Sequence, residues 1–407
     1  MLRALYGTKV PVFRPVASSS QPSLLTWRRM TAESTTTSGA SSRSSVSWIR
    51  IASAMTQWFR ARDPQAAQLH DTLQVVDMHS DTLMWDRDLL ERSDRGHVDL
   101  PRLQEGNVAL QVFSSVTKSP RGQNVDGNDD DSDNITPLVV AQLQPPRTWT
   151  SMTERSLYHA QKLQTAVEDS DGGLMFVKTK GDLEQLIDER VAGENVTGAL
   201  FSVEGLHNLE GDISNVDRLY DAGMRMAGFA HFFDNDVAGS MHGIDQGGLT
   251  DFGREVFTSL EQRGVIIDLT HASHEAVATM LDMATNPVLL SHGGVQGTCD
   301  TNRNVTDDEI RGVAETGGVI GIGYFETAVC SLELDAILDA IDHVVEVGGI
   351  QTAALRSDFD GSVTVGFDTS KIAAITQGLL DRGYSDEDVA AIMGGNTLRV
   401  MQQVLPD

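Results

Sequence analysis

From Leu73 onward the chain repeats one pattern: a short apolar run, a polar loop, then a stretch with apolar positions at helical spacing. The apolar runs fall at 73–81, 109–116, 198–205, 224–232, 265–271, 287–292, 319–324 and 352–359. Several are almost unbroken Val, Ile or Phe, as strands buried on both faces of a parallel sheet are. The intervening stretches at 153–167, 251–263, 274–283, 307–315 and 332–347 have the spacing of amphipathic helices. Thr250, Ser273, Thr306 and Ser385 stand where side chains cap helix starts, and Gly264, Gly317 and Gly348 where glycines end them. Alternating strands and helices build a parallel sheet, either doubly wound or closed on itself. Eight runs favour closure, so the expected fold is α/β, a (β/α)8 TIM-type barrel. It is predicted to form a single domain over 63–407, since such a barrel needs ~250 residues or more.

Two segments stand outside the pattern. Between the second and third runs lies a long excursion at about 117–197, with an acidic stretch (Asp129, Asp130, Asp131, Asp133) and the pair Pro145-Pro146. The stretch lacks the Gly and Glu of an EF-hand loop, so a solvated excursion near the barrel mouth is expected instead of a calcium loop. Residues 1–62 carry nine Lys or Arg against one acid, Glu33, and are rich in Ser and Thr. They are read as a disordered leader or one placed ahead of the true start, at Met30 or Met55, the alternative being an organelle transit peptide.

The net charge of −27 excludes nucleic acid as a partner, because binding it depends on Lys and Arg neutralising phosphates. An anionic membrane surface would repel the chain for the same reason. No apolar stretch approaches the ~20 residues of a membrane span, and residues 398–407 lack the apolar tail of a lipid-anchor signal. A cytoplasmic protein is expected, with organelle targeting by the leader as the alternative. Cys299 and Cys330 are too few for a disulfide framework and are read as ordinary small residues.

Metal-capable side chains sit at the ends of these runs: His79 and Asp81 on the first, Glu204 on the third, His231 on the fourth, His271 on the fifth, His292 on the sixth and Asp358 on the eighth. Strand ends of a β/α barrel converge on one face, and that face carries the active site. One such histidine is more often a core residue, but seven equivalent placements are not an accident. His79 and Asp81, at i and i+2, point the same way from a strand and suit one metal. His271 and His292 suit a second, and Glu204 has two oxygens with which to bridge ions ~3.5–4 Å apart. Imidazole with carboxylate suits zinc best, with manganese or cobalt as substitutes.

These residues lie in stretches that resemble the membrane dipeptidase (renal dipeptidase) family of metallopeptidases, a branch of the amidohydrolase-like barrels. The matching motifs run in order from Val76-Asp77-Met78-His79-Ser80-Asp81-Thr82-Leu83 through Ser202-Val203-Glu204-Gly205, Asp268-Leu269-Thr270-His271-Ala272-Ser273 and Leu290-Ser291-His292. They continue with Asn302-Arg303-Asn304-Val305, Ser357-Asp358-Phe359-Asp360-Gly361 and Gly395-Asn396-Thr397-Leu398-Arg399-Val400. The resemblance implies two zinc ions per chain, one on His79, Asp81 and Glu204 and the other on Glu204, His271 and His292, with a metal-bridging hydroxide as nucleophile. It implies that His231 contacts the substrate and steadies the tetrahedral intermediate. Arg303 takes the substrate's carboxylate, and Asp358 serves proton transfer or the amino end. It implies a small peptide substrate, often with a D-residue at the C-terminal position, and a homodimer. Other outcomes are an amidohydrolase acting on another small amide or lactone, and a non-catalytic metal-binding homologue.

The chain departs from the family pattern in the apolar Phe232-Phe233 after His231, in the larger excursion, in the absence of an anchor tail, and in Arg356, which stands where Gly is expected. By strand alternation Arg356 points inward one layer below Asp358. A buried guanidinium needs a carboxylate, and Asp77, two residues before His79, is the expected partner within ~4 Å.

Overall fold

The computed structural model describes residues 63–407, so the expectations for the leader lie outside the described residues. Nine parallel strands form one sheet: β1 (Val75–Ser80), β2 (Val108–Val116), β3 (Leu174–Phe176), β4 (Thr197–Glu204), β5 (Met224–Gly228), β6 (Ile266–Asp268), β7 (Leu289–Gly293), β8 (Val319–Ile322) and β9 (Ala353–Leu355). Eight follow the order β1-β2-β4-β5-β6-β7-β8-β9, and a parallel bridge from Ser80 to Phe359 brings the first back to the last. The result is a nearly closed (β/α)8 barrel.

Each of these eight strands sends one or two apolar side chains into an inner cluster: Val76 and Met78, Leu110 and Val112, Leu200, Met226, Ile266, Leu289, Val319 and Ala354. Val400, Met401, Val404 and Leu405 of the C-terminal segment pack into the same cluster. The opposite strand faces carry residues such as Val75, Phe201, Ala227 and Ile320, which pack against the helices. Burial on both faces is why the strands read as continuous apolar runs and not as alternating ones.

The helix starts follow the sequence signals. Thr250 and Ser273 accept from backbone amides three residues on, and Thr306–Glu309 and Ser385–Asp388 close capping boxes. Gly264 and Gly317 adopt left-handed φ at helix ends, but after Leu334–Gly348 it is Gly349, not Gly348, that does so.

Three expectations need correction. The excursion contains a strand of its own, β3, which pairs with β4 off the barrel path. Beside the expected helix, found at Met152–Asp169, it also contains the helices Ile135–Ala141 and Lys180–Val191. Within the acidic stretch Asp129, Asp130 and Asp131 are exposed, whereas Asp133 pairs with the buried Arg155 at 3.1 Å. The runs at 265–271 and 352–359 are strands only as far as Asp268 and Leu355, because His271 and Asp358 take left-handed φ of 64° and 59°. Finally, Cys299 and Cys330 are not isolated small residues: they form a disulfide, with Cα atoms 5.5 Å apart. Among the described residues no helix is long and apolar enough to cross a membrane.

Candidate metal centre

The ends of β1, β4 and β7, with the loops after β5, β6 and β9, bring the seven residues singled out from sequence to one end of the barrel. Two register irregularities aim them. On β1, Val76 and Met78 face the barrel interior, so strict alternation would turn His79 away. The pairing with β2 slips by one residue between Asp77 and Ser80, and the extra residue re-aims the chain at that point. A similar slip lies between Leu290 and Gly293 on β7, around His292. Left-handed backbone at His271 and Asp358 does the same work in the loops.

Glu204, the last residue of β4, stands at the middle. Its Oε1 lies 3.0 Å from His271 Nε2 and 2.8 Å from His292 Nε2, and its Oε2 lies 3.4 Å from His79 Nε2. Asp81 Oδ1 is 3.3 Å from the same His79 nitrogen, and His231 Nε2 is 3.9 Å from Glu204 Oε1. Three overlapping groups each hold donor atoms close enough to share an ion: His79, Glu204 and His292; Glu204, His231 and His271; His79, Asp81 and Asp358. His231 and Asp358, expected to contact substrate, are thus also within ligand range.

The donor set fits divalent metal. His271 Nε2 and His292 Nε2 approach to 2.8 Å while both face Glu204 Oε1. At least one lone pair there faces another unless both rings carry their proton at Nε2, a repulsion that a cation among the three atoms would relieve. Both ring nitrogens of His79, Oδ1 of Asp81 and Nδ1 of His271 are buried without a hydrogen-bond partner. The charges of this cluster act strongly on one another. Burial works against an imidazolium at His79, but the carboxylates of Glu204 and Asp81 outweigh it and raise the group to about 10. Burial would raise Glu204, yet the neighbouring histidines hold it well below the usual carboxylate range. Burial, opposed chiefly by the Arg356 guanidinium, lifts Asp358 to about 7. His271 is pushed well below its ordinary value, by burial first and by the Arg303 guanidinium next.

The expected Arg356–Asp77 pair does not form. Arg356 is fully buried and inward as expected, but its guanidinium lies 3.6 Å from Asp358. The slip in β1 explains this. Asp77 falls on the face opposite Val76 and Met78, where its Oδ1 accepts from the amides of His79 and Ser357 at 3.1 and 3.0 Å.

A cavity of about 660 Å³ opens above these residues, within the usual range for small-molecule sites. Arg303, in the loop after β7, lines it and is 4% exposed. Among the described residues no carboxylate lies within the 4.0 Å ion-pair limit of its guanidinium. Gly361 lies against Asp358 and Asp81 so closely that a Cβ there would collide with both carboxylates.

Several supporting residues escaped the sequence reading. Asp268 Oδ1 accepts from the amides of Thr270 and Ser291 at 3.0 and 2.8 Å, which ties the His271 loop to β7. Ser291 Oγ is 3.0 Å from His292 Nδ1 and orients that ring. Both lie inside the motifs quoted above, so a signal for them existed. His242 had none: it stacks on Phe232 at 4.7 Å and approaches His271 edge-on at 5.2 Å. Met84, Trp85, Val116, Ile135 and Leu138 also line the cavity, and nothing in their sequence context singled them out.

The fold and this convergence of imidazole and carboxylate define a barrel metallohydrolase. Residues 64–405 match the model of the membrane dipeptidase family, peptidase family M19. The chain belongs to that family, and is accordingly a peptide hydrolase of the metal-using kind. It is 30% identical over 317 residues to an uncharacterized dipeptidase of Schizosaccharomyces pombe, a match covering 75% of this chain and 72% of the relative. In fold it is similar to the probable dipeptidase PvdM from Pseudomonas aeruginosa, at 22% identity and TM-score 0.70, covering 84% of this chain and 98% of that one. A metallo peptidase from Rhodobacter sphaeroides, solved with a phosphinate mimic of the dipeptide L-Ala-D-Ala, aligns at 17% identity and TM-score 0.65, covering 82% of this chain and 99% of that one.

Proposed function

We propose that the protein is a zinc-dependent dipeptidase with two ions per chain, His79 and Asp81 holding one, His271 and His292 the other, and Glu204 shared. The observation that carries this reading is the division of Glu204, whose Oε1 faces the His271–His292 pair while Oε2 faces His79. A carboxylate so placed spans two ligand sets, as binuclear hydrolases require. The ions would make a water acidic enough to attack near neutral pH and would polarise the scissile carbonyl.

The remaining roles belong to side chains. Arg303, buried at the cavity wall without a counter-ion, receives the carboxylate of the substrate's C-terminal residue, for which its planar fork is suited. His231, beside Glu204, donates to the oxygen that gains charge at the tetrahedral stage. Asp358, its carboxyl shifted to about 7, carries a proton to the leaving amine or holds the amino end. The C-terminal position accepts a D-residue, a reading supported by the L-Ala-D-Ala mimic in the Rhodobacter sphaeroides relative.

The test is a panel of L,L- and L,D-dipeptides alongside lactones and cyclic amides, with and without chelator. Chelator-sensitive turnover of dipeptides, restored by zinc, is the expected result. Turnover confined to lactones or cyclic amides would overturn the dipeptidase reading in favour of another amidohydrolase activity. A protein that takes up no metal and turns over nothing would be a non-catalytic homologue.

A further inference from the structure

One wall of the cavity differs from the rest in chemistry and in origin. Met84, Val116, Ile135 and Val139 form a small apolar cluster separate from both barrel cores, with Trp85 and Leu138 packed on it. Five of these six, all but Val139, line the cavity. Ile135, Leu138 and Val139 come from the helix Ile135–Ala141 of the excursion and share one of its faces. Beside them stand Ser119, Gln123 and Asn124. None of these wall residues carries a charge, in a chain of net charge −27. The cavity's charge lies instead on its floor and at Glu326.

The wall is built in advance of any ligand. Arg155, 3% exposed, donates to Thr117 O and Thr148 O and pairs with Asp133, which precedes the helix and accepts from the amide of Ile135 at 2.7 Å. On the far side Asn128 donates to His242 O, and Asn302 donates to Val125 O. The excursion is therefore pinned at both ends of its approach to the site.

Its position relative to the charged groups is defined. Met84 lies one turn beyond Asp81, and its amide donates to Asp81 O at 3.0 Å. Trp85 Nε1 donates to Asp360 O at 2.8 Å, two residues from Asp358. Val116 pairs in register with Glu204. The apolar wall thus stands over the β1, β2 and β4 ends, whereas Arg303 follows β7, on another part of the ring.

We infer that this wall is the subsite for the side chain of the substrate's amino-terminal residue, and that it selects a large apolar side chain such as Leu, Met or Phe. The inference rests on the dipeptidase reading, with the carboxylate at Arg303. A substrate held there by its C-terminal end presents its amino-terminal residue to the Asp81–Asp358 side and to the apolar wall. Burial of several methylenes against it favours Leu over Gly, and leaving a charge unpaired there disfavours Asp, Glu and Lys.

The experiment compares kcat/KM on Leu-Gly, Gly-Leu, Gly-Gly and Asp-Gly for the zinc-loaded protein and for Leu138→Lys, a change at the half-buried rim of the wall. Leu-Gly is expected to exceed Gly-Gly by about 10-fold or more, and to exceed Gly-Leu. In L138K the Leu-Gly to Asp-Gly ratio is expected to fall by at least about 10-fold, as the new ammonium favours the acidic side chain. Equal rates on Leu-Gly and Gly-Gly, or a preference for Gly-Leu, overturn the subsite while leaving the dipeptidase reading intact. So does a Leu-Gly to Asp-Gly ratio unmoved in L138K. No turnover of any dipeptide overturns both.

Discussion

Arg303→Met replaces a buried guanidinium with a neutral side chain of similar length. Arg303 is 4% exposed, and its nearest polar neighbours are His271 Nε2 at 3.4 Å and Met241 Sδ at 3.9 Å, neither of them a counter-charge. Burial presses its pKa downward, with Asp358, Glu204 and Asp268 opposing at longer range. On the proposed reading that cost is offset when the substrate's carboxylate pairs with the guanidinium. Losing a charge-assisted hydrogen bond to a substrate carboxylate costs on the order of 1.5–3 kcal/mol, roughly 10- to 150-fold in kcat/KM. An amidated dipeptide has no carboxylate to lose, so the variant's deficit is expected on Leu-Gly and to be nearly absent on Leu-Gly-amide. The melting temperature is expected to stay level or rise, since an unpaired buried charge has been removed. Equal deficits on acid and amide, together with a lower melting temperature, would show that Arg303 supports the fold, and the assignment of the carboxylate to it would be wrong.

His292→Ala removes one of the two imidazoles facing Glu204 Oε1, so bound zinc is expected to fall from about two to about one per chain, with nearly all turnover lost. Elemental analysis after zinc reconstitution checks this, and fewer than about one ion in the unaltered protein refutes the binuclear centre. His159 is buried and held neutral down to about 3, by burial first and then by Lys162 and Arg155. Between about pH 6.5 and 3 the unfolded chain therefore binds a proton that the folded one does not. Stability is lost as pH falls through that window, by up to roughly 1.4 kcal/mol per unit. His159→Gln is expected to flatten the pH dependence of urea unfolding between pH 6 and 4 by about one proton, and an unchanged slope would refute the assignment. Cys299→Ser opens a cross-link that spans 31 residues, worth about 3–4 kcal/mol if its effect is on the unfolded chain's entropy. A melting temperature insensitive both to this change and to reductant would show that the disulfide contributes nothing to stability.

How much of this protein was legible in the sequence depends on the range of the physics involved. The strand–helix alternation, the capping residues Thr250, Ser273, Thr306 and Ser385, and the metal-capable residues at the ends of apolar runs are all local patterns. Local patterns survive projection onto one dimension, because propensity, capping and burial periodicity act within a few residues. The barrel and the candidate ligands His79, Asp81, Glu204, His271 and His292 therefore followed from the chain alone. What the sequence could not decide was direction and partnership. Whether His79 faces the interior depends on a one-residue slip against β2, and that slip exists only once two strands are paired. The same slip separates Asp77 from Arg356, so an inference sound for an ideal strand failed for the real one. Cys299 and Cys330 meet because the loop after β7 packs against the segment after β8, a contact that no spacing rule contains. The apolar wall over the candidate metal centre is likewise a tertiary product: Met84, Val116 and Ile135 lie far apart in the chain, and no local pattern links them. Their common face toward the cavity arises only when the excursion folds back and Arg155 fastens it there.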